Sequence, residues 1–408
     1  MSERDARQRT VLCLASHFQG AEFMRECKRQ GQRVILMTRE KLLQEDWPRE
    51  SLDDIIAVPN DAAPELYVYV ASQLGRPQRI DLVAALEEFD VITAGLIREQ
   101  FCLNGMTSSE ARVFRDKLAM RVRAQAAGIP VPDFAHVLNY QELGAYMERV
   151  PAPWVMKPRS DVSAIGIKKC EDSEQVWRAI DALDARENLN ERSPYYLLER
   201  YVAGDVFHVD SLVNKGRVAF AGASGYGRPP MDVTHQGGVF ISRTVRRGSE
   251  DERKLLRLNR KLINALGLTH GAAHAEFIKS AADGEFYFLE IAARVGGAYI
   301  AESLEAASGV NLWREWARIE LARDDNSYRL PRPHKEYGGI VLSLARQEEP
   351  DTSGYTDEEI VYRVRKSHHA GLVVRSPKLE RVEELTNNYA RRFDEEFTAF
   401  VPPPERPG

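Results

Sequence analysis

The chain has 408 residues, 43% of them hydrophobic and 29% charged, with a formal net charge of −5. That length allows two or three domains and a large core, and the acidic balance argues against a general nucleic-acid surface. No run approaches the roughly 18 apolar residues of a membrane span, the polar start MSERDARQRT lacks the apolar stretch of a secretory signal, and Cys13, Cys27, Cys102 and Cys170 follow no disulfide or CxxC spacing, so a cytoplasmic protein with reduced thiols is expected.

In chain order, an apolar run from Val11 to Ala15, a helical pattern over 20–30 and a second apolar run from Val34 to Met37 predict a strand, helix, strand unit. A helix near 62–74 and a strand over 82–86 extend it into a small parallel α/β domain covering residues 1–106. It has no GxGxxG, which argues against a dinucleotide site. Glu87, Asp90, Arg98 and Glu99 surround its last strand, at the edge of any cleft there.

Ser108 to Gly128 is strongly helical and carries Lys117, with Gly128 as C-cap and Pro130 and Pro132 beyond. Asn139 and Glu142 form a capping box before a short helix, and the strand WVMKP follows. Its Lys157 ends an apolar run, where an ammonium is poorly placed without an anion. The next loop, RSDVSAIGI, is built of small residues around Ser163 and Gly166. Asp172 and Gln175 start another helix, and YYLLERYVAGDVFHVDSLV gives two strands broken at Gly204, with Glu199, Arg200, Val202 and His208 among them. Residues 222–248 are rich in glycine and arginine without a regular period, as functional loops are. Arg228, His235 and Arg243 in this stretch are candidates for a pocket that takes an anionic or amino-acid substrate.

A helix capped by Ser249 and ending at Gly267 leads to the most informative stretch, HAEFIKSAADGEFYFLEIAARVGGA (274–298). Strands over 272–280 and 285–294 flank the turn signal Asp283-Gly284. A three-residue loop, Ala282 to Gly284 with glycine left-handed, sets Glu276 opposite Glu290 on one face. Two carboxylates that close repel by roughly 3 kcal/mol at an effective dielectric near 20, a cost a cation removes. Oxygen ligands without a Cys or His cluster favour Mg²⁺ or Mn²⁺. Arg294 continues the same face, and Gly296 and Gly297 open a helix, the setting of an anion site.

Glu276, Glu290 and Arg294 followed by the glycine pair resemble the C-terminal signature of the ATP-grasp superfamily. The resemblance implies that the two glutamates hold the Mg²⁺ (or Mn²⁺) of MgATP and that Arg294 faces the transferred phosphate or acyl phosphate. The run FRDKLAMR resembles the segment before that family's lid, where Lys117 would reach nucleotide phosphates together with Lys157, under a phosphate-covering loop containing Ser163 and Gly166. Glu199 to Val202 resembles the adenine hinge: the Glu199 carboxylate accepts from the exocyclic amine, and backbone groups near Arg200 and Val202 complete recognition. HVD looks closer to the biotin carboxylase branch, which implies a ribose contact for His208. Where many relatives place a further metal-binding Asn two residues after the second glutamate, this chain has Ala292.

The resulting expectation is an α/β protein: an N-terminal parallel domain (1–106), an ATP-grasp α+β core (107–325, lid about 130–200) and a C-terminal α/β subdomain with a disordered tail (326–408). It would be an ADP-forming carboxylate-amine, or carboxylate-thiol, ligase acting through an acyl phosphate. ATP and Mg²⁺ would be its cofactors and a small carboxylate or amino acid and an amine its partners, with Arg228, His235, Arg243, Gly296 and Gly297 at the substrate. No nucleic acid and no membrane are expected as partners, and a homodimer is one candidate assembly. A biotin carboxylase-like subunit and a non-catalytic nucleotide-binding regulator are the competing readings.

Overall fold

The computed structural model describes residues 8–161, 166–189, 192–231, 233, 237–323 and 327–399. Ser163, His235 and the tail expected to be disordered lie outside them. The first layer is built from β1 (Thr10–Ala15), α1 (Ala21–Arg29), β2 (Arg33–Arg39), β3 (Asp54–Val58), α2 (Pro64–Leu74), β4 (Leu82–Ala85) and α3 (Val91–Phe101). The strands form a parallel sheet in the order β3-β2-β1-β4. β1 is buried at all six positions, as a parallel strand covered on both faces must be. Strand order reverses between β1 and β4, so the loops after these two strands border a crevice at the carboxyl end of the sheet.

Two helices, α4 (Ser108–Arg112) and α5 (Lys117–Ala126), lead into a second sheet. Asp116 caps α5 by accepting from the Leu118 amide at 3.0 Å. The second sheet comprises β5 (Phe134–His136), α6 (Tyr140–Arg149), β6 (Trp154–Pro158), β7 (Lys168–Cys170), α7 (Ser173–Asp184) and β8 (Tyr196–Arg200), with strand order β5-β8-β6-β7. Its helices pack Leu143, Val176 and Ile180 against Trp154, Met156 and Leu198 in a core of its own.

The largest sheet takes β9 (Gly204–Asn214), β10 (Arg217–Tyr226), β11 (Phe240–Thr244), α8 (Glu250–Leu266), β12 (Gly271–Ser280), β13 (Phe286–Ala292), α9 (Ile300–Ser308), α10 (Leu312–Leu321), β14 (Tyr337–Leu344), β15 (Ile360–Arg363), β16 (His369–Ser376) and α11 (Leu379–Glu396). Its eight strands run in the order β13-β12-β9-β10-β11-β14-β16-β15. The expected combination of a parallel N-terminal sheet with an α+β core is therefore observed. The strands of the C-terminal stretch form no sheet of their own: β14 pairs with β11 and continues the central sheet. The free edge of β13 is met by the chain before β5, where Phe288 N donates to Pro130 O at 2.8 Å.

Candidate active site

A cavity of about 670 Å³ lies where the three sheets meet. Its walls include Glu87 and Glu88 from the loop after β4, Lys117 of α5, Lys157 of β6, Glu199 of β8, and Glu276, Glu290 and Arg294 from the hairpin β12–β13 and the turn beyond it.

The hairpin sets Glu276 directly opposite Glu290, but not through the expected three-residue loop. Ser280 N donates to Glu285 O (2.9 Å) and Gly284 N to Ser280 O (2.8 Å), so the loop is the four residues 281–284, with Gly284 left-handed at φ 71°. Asp283 fixes it by accepting from the Glu285 amide (2.9 Å) and the Tyr287 hydroxyl (2.8 Å). That loop alone would pair the strands one residue out of register. A bulge at Leu289, between Phe288 (opposite Phe277) and Glu290 (opposite Glu276), restores the facing pair.

Glu276 accepts from the Tyr226 hydroxyl at 2.7 Å, and His274 Nε2 stands 3.5 Å from the same oxygen. His274 is directly across from Ala292 and is anchored through Nδ1 to Asp210 at 2.9 Å. Burial disfavours a charged imidazole here, yet the Asp210 carboxylate and then Glu276 outweigh it and raise the group to about 10. Glu290 pairs with Lys117 at 2.9 Å and is 37% exposed, into the cavity. Enclosure by protein would raise its carboxyl, but Lys117, reinforced by Lys157 and Arg121, brings it down to about 2. Lys117 Nζ also donates to Asp161 O at 2.6 Å, so that it ties β13 to the loop after β6.

Glu199 is 2% exposed and gives one oxygen to Arg121 and the other to Lys157. Burial works against the Lys157 ammonium and lowers its pKa, with Glu199 opposing that shift. Arg200 and Val202 both line the cavity, and Val202 packs with Val206 and Ile278 in a small apolar cluster. Gly166 is left-handed (φ 72°) and abuts Pro158.

Arg294 is held by the N-terminal layer: Nη2 and Nε donate to Glu88 at 2.5 and 2.9 Å, and Glu87 lies 3.3 Å away. Burial disfavours its charge, but the two carboxylates outweigh that and strengthen it. Arg115 makes a second contact to Glu88, at 2.5 Å. Just past Arg294, Ala298 and Tyr299 are both left-handed (φ 51° and 59°), a conformation that costs non-glycine residues of order 1–3 kcal/mol.

Four of the predicted site residues lie outside the cavity wall. His208, expected at a ribose, is fully buried instead, Nδ1 on Asp210 (2.6 Å) and Nε2 on Ser242 Oγ (2.7 Å), and the Tyr226 ring, 4.7 Å away between centroids, covers it. Arg243 follows Ser242, so strand alternation turns it to the opposite face, where it donates to Asn387 of α11 at 2.9 Å. Arg228 is exposed and outside the cavity wall, its Nη1 beside Gly238. Gly296 serves packing: a Cβ there would come within 2.6 Å of Asp210 and 2.9 Å of His274, whereas Gly297 does line the cavity. Of the charges around β4, Glu87 reaches the cavity, while Arg98 donates to the Val83 and Met106 carbonyls and Glu99 accepts from Ser108.

Sequence reasoning missed Glu88, Arg115, Arg121, Tyr226 and His274. Two carried a legible signal: His274 is two residues before Glu276 on a strand, and Arg121 is one helical turn beyond Lys117. Tyr226 comes from a distant strand and carried none.

The family model for an ATP-grasp domain matches residues 150–302. An arginine-specific L-amino acid ligase of Bacillus subtilis is 26% identical over 251 residues, which is 60% of this chain and 59% of that protein. A D-alanine–D-alanine ligase of Verminephrobacter eiseniae is 29% identical over 184 residues, 43% of this chain and 53% of that one. The chain thus spans a little over half the length of these relatives. Among solved structures, an L-amino acid ligase from Bacillus licheniformis superposes with a TM-score of 0.72 at 18% identity, covering 97% of this chain and 99% of the other. A biotin carboxylase from Campylobacter jejuni gives 0.70 at 14%, covering 96% and 92%. At these identities the structural likeness is one of fold. The family match thus identifies an ATP-grasp domain over residues 150–302, and the chain shares its overall fold with these solved structures.

Proposed function

We propose that this chain is an ADP-forming ligase that uses ATP to activate the carboxylate of a small substrate, an amino acid in the first instance, and passes it as an acyl phosphate to an amine or thiol acceptor. The observation that carries this reading is the Glu276–Glu290 pair facing one cavity that also holds Lys117, Lys157 and Arg294. The carboxylate pair offers oxygen donors side by side, a set that suits Mg²⁺ or Mn²⁺ bound together with nucleotide phosphates. The metal would supply charge neutralisation at those phosphates.

The protein's own groups then have separable tasks. Val202, Ile278 and Leu289 offer apolar walls for a planar base, with the Glu199 carboxylate at its edge. Lys157 and Lys117 bring cationic charge to the phosphate end. Arg294 offers a planar fork that can bridge phosphoryl and carboxylate oxygens as charge passes between them. Glu87 and Glu88, beside Arg294, suit the ammonium of an amino acid. That class also agrees with the relative named an arginine-specific L-amino acid ligase.

The biotin carboxylase reading drew on His208, and its burial removes that support. ADP release measured with pairs of L-amino acids, and separately with biotin and bicarbonate, tests the proposal. Release that depends on an amino acid supports it. Release only with biotin and bicarbonate, or nucleotide binding without any turnover, defeats it.

A further inference from the structure

Arg121 is the largest fully buried side chain in the described protein, and its function is not explained by packing. Its Nε donates to Glu199, its guanidinium carbon lies 5.4 Å from the Phe288 ring centre, and its two terminal nitrogens are buried with no hydrogen-bond partner among the described residues. Unsatisfied buried donors are costly, so an apolar side chain of similar volume would serve the core better. What Arg121 does have is one directed contact, to a carboxylate that lines the cavity.

That carboxylate is shared. Lys157 holds one oxygen of Glu199 and Arg121 the other. On the proposed reading Lys157 must turn toward the nucleotide phosphates, and Glu199 then keeps only one cation. We propose that Arg121 is the positioning residue that holds Glu199 as a fixed, ionised acceptor while nucleotide is bound, and that it thereby sets the preference for a 6-amino over a 6-oxo purine. This rests on the ATP reading above and deepens it.

The chemistry is simple. An ionised carboxylate accepts a hydrogen bond from a 6-amino group and repels a 6-oxo group. A protonated carboxyl can donate to the 6-oxo group, so the discrimination requires that Glu199 stay charged and stay put. Arg121 outranks Lys157 in holding the Glu199 carboxyl below its usual range, against the opposing effect of burial. Its planar guanidinium is also always charged, whereas a buried lysine is readily neutralised.

The test is the ratio of dissociation constants for ATP and ITP, both with Mg²⁺, by titration calorimetry on the full chain. Wild type should prefer ATP by 10² or more, Arg121→Met should lose about 10- to 100-fold of that preference, the range for one charge-assisted hydrogen bond, and Arg121→Lys should recover much of it. A merely structural arginine would change the melting temperature and both affinities together but not their ratio. Should Arg121→Met fail to fold, Arg121→Gln, which keeps an N–H donor without the charge, carries the same comparison. The proposal is overturned if a folded uncharged variant keeps the wild-type ratio within about twofold, or if wild type binds ATP and ITP equally. No binding of either nucleotide by wild type overturns the ATP reading itself, and this inference with it.

Discussion

Arg294 and Glu88 lie 206 residues apart in sequence and are joined by two hydrogen bonds, Nε and Nη2 to the same carboxylate oxygen at 2.9 and 2.5 Å. The arginine proposed to meet the acyl phosphate is thus held by the loop after β4. If it turns to the phosphoryl group, Glu88 loses one of its two cationic partners, and a buried carboxylate left short of charge is costly. An amino-acid ammonium arriving at the same place would replace it. Glu88→Gln should therefore raise KM for the amino-acid substrate about 10- to 100-fold, with ATP affinity changed less than threefold. An unchanged KM would remove Glu88 from the substrate site.

Metal dependence can be read without turnover. A ligand confined to the native state stabilises by RT ln(1 + [L]/Kd), about 2.7 kcal/mol at a hundredfold excess over Kd. MgATP should raise the melting temperature clearly, ATP with excess EDTA much less, and Glu290→Gln should erase most of the difference. Equal shifts with and without the divalent ion would count against the Glu276–Glu290 pair as metal ligands.

Arg294→Lys keeps a positive charge and loses the fork. MgATP binding should stay close to wild type while turnover falls by about 10² or more, the scale of one preorganised electrostatic contact. Hydroxylamine supplied with the carboxylate substrate should be captured as a hydroxamate by wild type and hardly at all by the variant. Full activity in Arg294→Lys would reduce the arginine to a structural role.

Asp90 makes a pH prediction. Burial raises its carboxyl to about 6, although it accepts from the Ser16 amide at 2.7 Å. Because the folded pKa lies above the unfolded value near 3.9, the group favours folding fully below about pH 4, and that contribution is lost as pH rises through 6. Asp90→Asn should accordingly be more stable than wild type at pH 7.5, by roughly 1–3 kcal/mol, with the gap shrinking at pH 4. Urea midpoints at the two pH values measure this, and a gap independent of pH would refute the cause given.

The sequence made the facing of Glu276 and Glu290 legible because strand period and a turn glycine are local. It reached that pairing by a shorter loop than the chain uses, since the bulge at Leu289 leaves no mark in an alternating run of apolar residues. The helix turn that aligns Lys117 with Arg121 was likewise local. What lay out of reach were contacts made by chain crossing: Tyr226 over His208, Arg294 on Glu88, and the pairing of β14 with β11. His208 shows the cost of local resemblance, because the strand position that carries it says nothing about which ring will cover it.

The continuity of the eight-stranded sheet bears on how this protein can be divided. The family match ends at residue 302, but a fragment cut there would leave β11 without β14 and expose the backbone edge that Phe240–Arg243 presents to it. An uncovered edge of that kind recruits other chains. The nucleotide-handling half is therefore not a portable cassette, and a fusion or domain exchange that respects this architecture must carry the residues through α11 along with it.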